Sequence, residues 1–302
     1  MTTSTPPSWS AAGLDHALAR SRAEQRAALG LYLPVGYPTR AAGLDALHLM
    51  AKHADVLQLG VPHTDPVLDG PVIRRAAAQA LDAGFRMRDL FDAATELTAA
   101  GTTAVLAMSY WKPIEVYGPQ AFAEELAAAG VAGVLVPDLP ETETETDTGT
   151  DTGTGTGTGT DTETDTAAAT WQRAARAAGL HTSTLIPPRA SDAHLAALGS
   201  VTSGLIHVPA TPGLTGARRP LSPYLPHLVR RVRALTGLPV AVGIGIGTPD
   251  QAAQASAYAD SVIVGSAVIR RMHTHPGAAA VTAAEAARDF AEGVRRARPP
   301  AA

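Results

Sequence analysis

Short runs of apolar, often β-branched residues alternate with alanine-rich amphipathic stretches eight times along this chain of 302 residues, and that alternation limits what it can fold into. The runs are LGLYLPVGYPT, the segment from Asp55 to Val61, TTAVLAMSY, the segment opening at Gly133, HTSTLIPP, GLIHVPA, PVAVGIGIG and DSVIVGSA. A helix between successive strands makes neighbouring strands parallel. Eight such units with short connections predict a closed barrel, because open doubly wound sheets ordinarily stop at fewer strands. The expected fold is therefore α/β, a single (β/α)8 TIM barrel spanning 1–302, a length that suits a fold needing about 250 residues.

Several segments refine this expectation. Gly13 to Leu29 carries Leu14, Ala17, Leu18, Ala28 and Leu29 at spacings suited to one helix face, which would cover the bottom of the barrel or lead into it. Residues 1–12 and 299–302 are expected to be flexible tails. From Glu141 to Thr166 threonine alternates with glutamate, aspartate or glycine, with no hydrophobic residue. Nothing there can be buried, so 141–166 is expected to be a disordered low-complexity insertion between the fourth strand and its helix. It carries eight carboxylates and no base, and without it the net charge of −4 becomes +4.

Composition excludes some classes of function. There is no cysteine, so disulfides, thiol nucleophiles and thiolate metal sites are ruled out. The arginines are scattered, and Arg230, Arg231 and Arg233 accompany Val229, Val232 and Leu235 as a solvated helix face, so no nucleic-acid surface is expected. No apolar run is long enough to span a bilayer and no secretory signal is evident in MTTSTPPSWSAAG, which makes a cytoplasmic location and no membrane partner the expectation.

Chemistry in parallel α/β folds gathers at the carboxyl ends of the strands. The second strand breaks at Pro62 into a loop holding Asp65, Asp69 and Gly70. On the last two strands, Gly243 to Gly247 and Val264 to Ala267 place glycines where backbone N–H groups can approach an anion, with Ser266 opening a helix. The loop from Pro212 to Ala217 is either a plain turn or a mobile lid. Imidazole as a group titrates near neutrality, which makes histidines at the strand ends worth weighing: His63 reads as structural, whereas His207 is a candidate acid or base.

The stretch LQLGVPHTDPVLDGP, Leu57 to Pro71, resembles the LELGxPxSDPxADGP signature of the tryptophan synthase alpha subunit, and the resemblance runs from Tyr32 to about Ile269, interrupted only by the threonine insert. It implies retro-aldol cleavage of indole-3-glycerol phosphate to indole and glyceraldehyde 3-phosphate, with no metal and no cofactor of its own. Indole would pass to a separate beta subunit carrying pyridoxal phosphate. The resemblance further implies that Asp69 accepts the indole N–H and that Gly216, Ile244, Gly245, Gly265 and Ser266 hold the substrate phosphate. Tyr32, Leu68, Met108 and Leu135 would line the apolar slot, and Thr215 would belong to a lid that closes over it. The chain departs from the family at the reacting centre. Gln58 stands where the family has a proton-shuttling glutamate, His207 where it usually has tyrosine, and Lys112 where it usually has asparagine. Three readings fit this pattern: an alpha subunit working with a beta subunit, crippled unless another group such as His207 substitutes for the glutamate; a catalytically degenerate relative that binds a phosphorylated ligand or a beta subunit; and a related phosphate-binding barrel with altered chemistry that uses His207 as acid or base.

Overall fold

The computed structural model describes residues 10–101, 103–139, 166–187, 190–211 and 220–297. Helix α1 (Ser10–Ala23) leads into β1 (Ala28–Pro34), α2 (Arg40–Ala51), β2 (Val56–Gly60), α3 (Pro71–Asp82), α4 (Met87–Ala99) and β3 (Ala104–Met108). Then follow α5 (Trp111–Tyr117), α6 (Pro119–Ala128), β4 (Gly133–Leu135), α7 (Ala167–Ala177), β5 (His181–Leu185), α8 (Asp192–Val201) and β6 (Ile206–Pro209). The chain ends with α9 (Leu225–Thr236), β7 (Val240–Gly243), α10 (Pro249–Ser256), β8 (Ser261–Val264), α11 (Ser266–Thr274) and α12 (Ala279–Arg296). The strands pair in sequence order, all parallel, and β8 closes on β1, as the eightfold alternation requires.

Side chains alternate between the two faces of each strand. Leu29, Leu31, Leu57, Leu59, Val105, Val208, Val242 and Val262 join the core beneath the helices. Ala28, Val56, Ala104, Leu106, Leu205, Ala241 and Ile263 fill the lower interior of the barrel, where they meet Leu14, Ala17 and Leu18 of α1. Thus α1 does plug the bottom, but Ala28 and Leu29 are not on its face. The helix stops at Ala23 and the chain turns through Gln25, whose φ is +54°. Ala28 and Leu29 then enter β1, with Ala28 pointing inward and Leu29 outward. The helical spacing at those two positions is coincidental, because a fully buried strand carries apolar residues on both faces.

Two further differences concern boundaries. Helix α1 begins at Ser10, inside the stretch expected as a tail, and a short helix, α5, occupies Trp111–Tyr117 directly after the third strand. Asp138 explains the second: its carboxylate accepts the Trp111 N–H at 2.8 Å and so supports the start of α5. The expectations for 141–166 and 299–302 fall outside the described residues except at Thr166. That residue caps α7, its hydroxyl accepting the Ala169 N–H at 3.2 Å. No helix among the described residues is long and apolar enough to cross a membrane.

Candidate active site

Strand alternation sets which side chains face the cavity above the lower interior. Val56 points inward, so Gln58 does too, one layer higher; the same step leads from Leu205 to His207, from Leu106 to Met108 and from Ile263 to Gly265. One cavity is lined by Tyr32, Gln58, Leu68, Asp69, Met108, Leu135, His207, Ile244, Gly245, Gly265 and Ser266, together with Ile73, Pro137, Leu185, Val208, Gly243, Ile246 and Ile263. Every described residue expected at the site therefore lines a single cavity. Thr215 and Gly216 lie outside the described residues.

Asp69 is the charged group of this cavity. It follows β2, is 5% exposed, and burial pushes its carboxyl up to about 6 against the opposing pull of a hydrogen bond from Tyr110 and the charge of Arg74. The loop is braced from behind. Tyr110 Oη accepts the Leu68 N–H at 3.2 Å, and Arg74 Nε donates to the Asp69 carbonyl at 2.7 Å. Sequence reasoning overlooked Tyr110. The signal available was a tyrosine at the carboxyl end of β3, next to the strand that carries the acid. Burial and the nearby Asp69 charge raise the Tyr110 phenol above its usual range, so it remains a hydrogen-bond donor. Tyr32 is raised in the same way, first by burial and then by Asp69.

The opposite lining is backbone. Ile244 has φ +47° and Gly245 φ +111°, so the chain turns sharply as it leaves β7, in a loop whose backbone N–H groups are candidates to meet an anion. A β-branched residue at positive φ is an outlier, and such strain gathers at functional sites. Beside it α11 starts at Ser266 with no side-chain cap at Gly265 and no acid in its first turn, leaving free amides and the positive end of the helix dipole. Glycine is required at Gly245. A Cβ there would lie 2.2 Å from Thr211 Oγ1, so Gly245→Ala combines a clash with backbone strain. It is expected to weaken phosphate binding by about tenfold or more, equivalent to roughly 1–3 kcal/mol, measurable by calorimetric titration. Gly265 is held for a related reason: a Cβ would come within 2.9 Å of the Tyr32 ring.

The remaining polar candidates lie elsewhere. His63 packs against Tyr110, ring centroids 5.7 Å apart, and does not line the cavity. Lys112 pairs with Glu115 at 2.7 Å on the surface.

A family profile described as Tryptophan synthase alpha chain matches residues 18–150 and 162–296. The chain belongs to the tryptophan synthase alpha chain family. The alpha chain of Streptomyces coelicolor is 40% identical over 285 residues, covering 93% of this chain and 96% of that one. The alpha chain of Acidothermus cellulolyticus is 40% identical over 281 residues, with 93% and 96% covered. Among solved structures, Mycobacterium tuberculosis tryptophan synthase superposes with a TM-score of 0.80 at 35% identity, covering 93% of this chain and 98% of its counterpart. The likeness extends over both halves of the barrel, including the stretches that hold the loop after β2 and the turns after β7 and β8.

Proposed function

We propose that this chain binds indole-3-glycerol phosphate and splits it by a retro-aldol reaction into indole and glyceraldehyde 3-phosphate, as a tryptophan synthase alpha chain. The observation that carries this reading is the presence, in one cavity, of a buried carboxylate and a backbone cradle for an anion. Asp69 would accept the indole N–H and favour the positive character that develops on the ring nitrogen. The amides of Ile244, Gly245 and Ser266 would hold the phosphate, with Gly216 adding to them, and Tyr32, Leu68, Met108 and Leu135 would sandwich the flat ring. Thr215 would sit in the loop that covers the site.

The reaction moves one proton off a hydroxyl and one onto a carbon, so it needs no cofactor on this chain. Indole would be handed to a pyridoxal-phosphate beta subunit, a partnership consistent with solved relatives described as tryptophan synthase. A second reading rests on the amide at Gln58, buried to 3% exposure where the family's carboxylate stands: a chain that binds the phosphorylated ligand without cleaving it. Indole release from indole-3-glycerol phosphate, with and without a beta subunit, separates the two. The first reading expects release whose rate falls about tenfold per pH unit below about 6, as Asp69 takes up a proton. Binding without release supports the second.

A further inference from the structure

Among the described residues, no protein group hydrogen-bonds to either of two polar atoms of this cavity, Gln58 Nε2 and His207 Nε2. Both side chains are deeply buried, 3% and 5% exposed, and both face the same cavity. At His207 the strand register explains the unpaired atom. His207 lies between Leu185 of β5 and Ala241 of β7, neither of which can hydrogen-bond to a side chain. Gln58 lies between Tyr32 of β1 and Leu106 of β3. A buried polar atom left without a partner costs about 1–3 kcal/mol. Two of them aimed into one cavity are a cost that a ligand would offset.

Resting on the alpha-chain reading above, we propose that His207 carries the proton in this barrel and that Gln58 hydrogen-bonds the substrate's C3′ oxygen to position it. In the first step the His207 imidazolium gives its Nε2 proton to indole C3. The ring's C2=C3 pair forms the new C–H bond, and the nitrogen lone pair forms N1=C2, whose positive charge faces Asp69. In the second step neutral Nε2 takes the proton of the C3′ hydroxyl. The O–H pair becomes the carbonyl bond, the C3–C3′ pair returns to the ring as C2=C3, and the N1=C2 pair returns to nitrogen. Indole and the aldehyde leave, and the imidazole regains the proton it gave. No co-reactant is consumed.

The scheme requires the imidazole to be charged when substrate is bound. In the empty cavity burial lowers His207 to about 4, so it is neutral at pH 7. The titratable and hydroxyl groups that share its cavity are Tyr32 from β1, Asp69 from the loop after β2 and the Ser266 hydroxyl from α11; no cationic side chain lines the cavity among the described residues. Burial alone lowers His207 in the empty cavity, and the phosphate of a bound substrate, held by the loops after β7 and β8 next to β6, would bring negative charge to it. Negative charges close by favour the imidazolium. Binding and proton uptake at His207 are therefore coupled.

The test uses the full chain with 3-(indol-3-yl)propyl phosphate, which lacks the C3′ hydroxyl and cannot be cleaved, and with indole-3-glycerol phosphate. NMR of histidine Cε1–H at pH 7 should show one resonance moving to the imidazolium position when the propyl phosphate is added, and that resonance should be absent from His207→Asn. Steady-state kinetics of His207→Asn should show kcat down by about 10²–10⁴ with KM little changed, and Gln58→Glu in the same background should restore turnover by supplying a carboxylate. Cleavage by the native chain that His207→Asn leaves intact overturns the proposal alone. Binding without cleavage in the native chain, with cleavage appearing in Gln58→Glu, overturns it by showing that the proton carrier is missing. A native chain that neither binds the propyl phosphate nor cleaves the substrate overturns the alpha-chain reading, and this proposal with it.

Discussion

Replacing Asp69 with asparagine is expected to lower the rate of indole release by about 10²–10³, the range for losing one preorganised electrostatic contact, and to make the protein more stable. The two effects share a cause. Asp69 is buried beside Tyr32 and Tyr110, where the Tyr110 hydroxyl and the Arg74 charge offset burial only in part, and its carboxyl is pushed up from 3.8 to about 6. For an acid raised in this way, folding favours the protonated form. The ionised form weakens the native state as pH rises from about 4 through about 6, by up to roughly 3 kcal/mol at pH 7. Asparagine keeps the shape and can still accept from Tyr110, but has no charge to bury, so a gain of about 1–3 kcal/mol is expected. Urea unfolding at pH 5 and pH 8 checks this: the native chain should lose stability between the two relative to Asp69→Asn. Equal pH dependence in both proteins would show that the carboxylate is not held at a cost.

The second large effect lies at the other end of the same strand. Asp55, immediately before β2, accepts hydrogen bonds from Arg20 at 3.0 Å, from both terminal nitrogens of Arg26 and from the Leu29 N–H at 2.9 Å. It ties the turn after α1 to the foot of β1 and β2. Removing one partner of a buried pair leaves the other charge uncompensated, a loss of about 3–5 kcal/mol, and Arg26 is 13% exposed at its side chain. Asp55→Ala should therefore lower Tm by on the order of 10 °C while leaving kcat unchanged, since the catalytic cavity is at the opposite rim. The pH dependence runs opposite to that of Asp69. Burial pushes the Asp55 carboxyl up, but Arg26, the Leu29 N–H and Arg20 together hold it below its ordinary 3.8. Its stabilisation is present in full above pH 4 and is lost as pH falls through the depressed value. An acid melt that is the same for the native chain and Asp55→Ala would contradict this.

The contrast between these two aspartates shows how far residues can be read without coordinates. Asp69 was legible because it sits in a loop after a strand, among prolines and Gly70, where chemistry is expected. Asp55 was read only as the start of a strand, because its partners Arg20 and Arg26 are dozens of positions away and nothing local marks them. The backbone cradle was legible from GIGIG and VGSA, since glycine is what a close approach requires. Tyr110 was not, because an aromatic at a strand end is ordinarily core.

The sequence by itself determined the closed eight-stranded barrel and the rim on which the site lies, because strand and helix periodicity and glycine placement are local properties; most of the lining residues were named only by the family resemblance. Which face of each strand looks inward was decided only by the tertiary structure, since strands buried on both sides are apolar throughout and carry no alternation to read. That inward choice placed Gln58 and His207 in one cavity, each with its Nε2 unpaired among the described residues. Hydrogen-bond isolation is a property of neighbours across the sheet, and those neighbours are set by register.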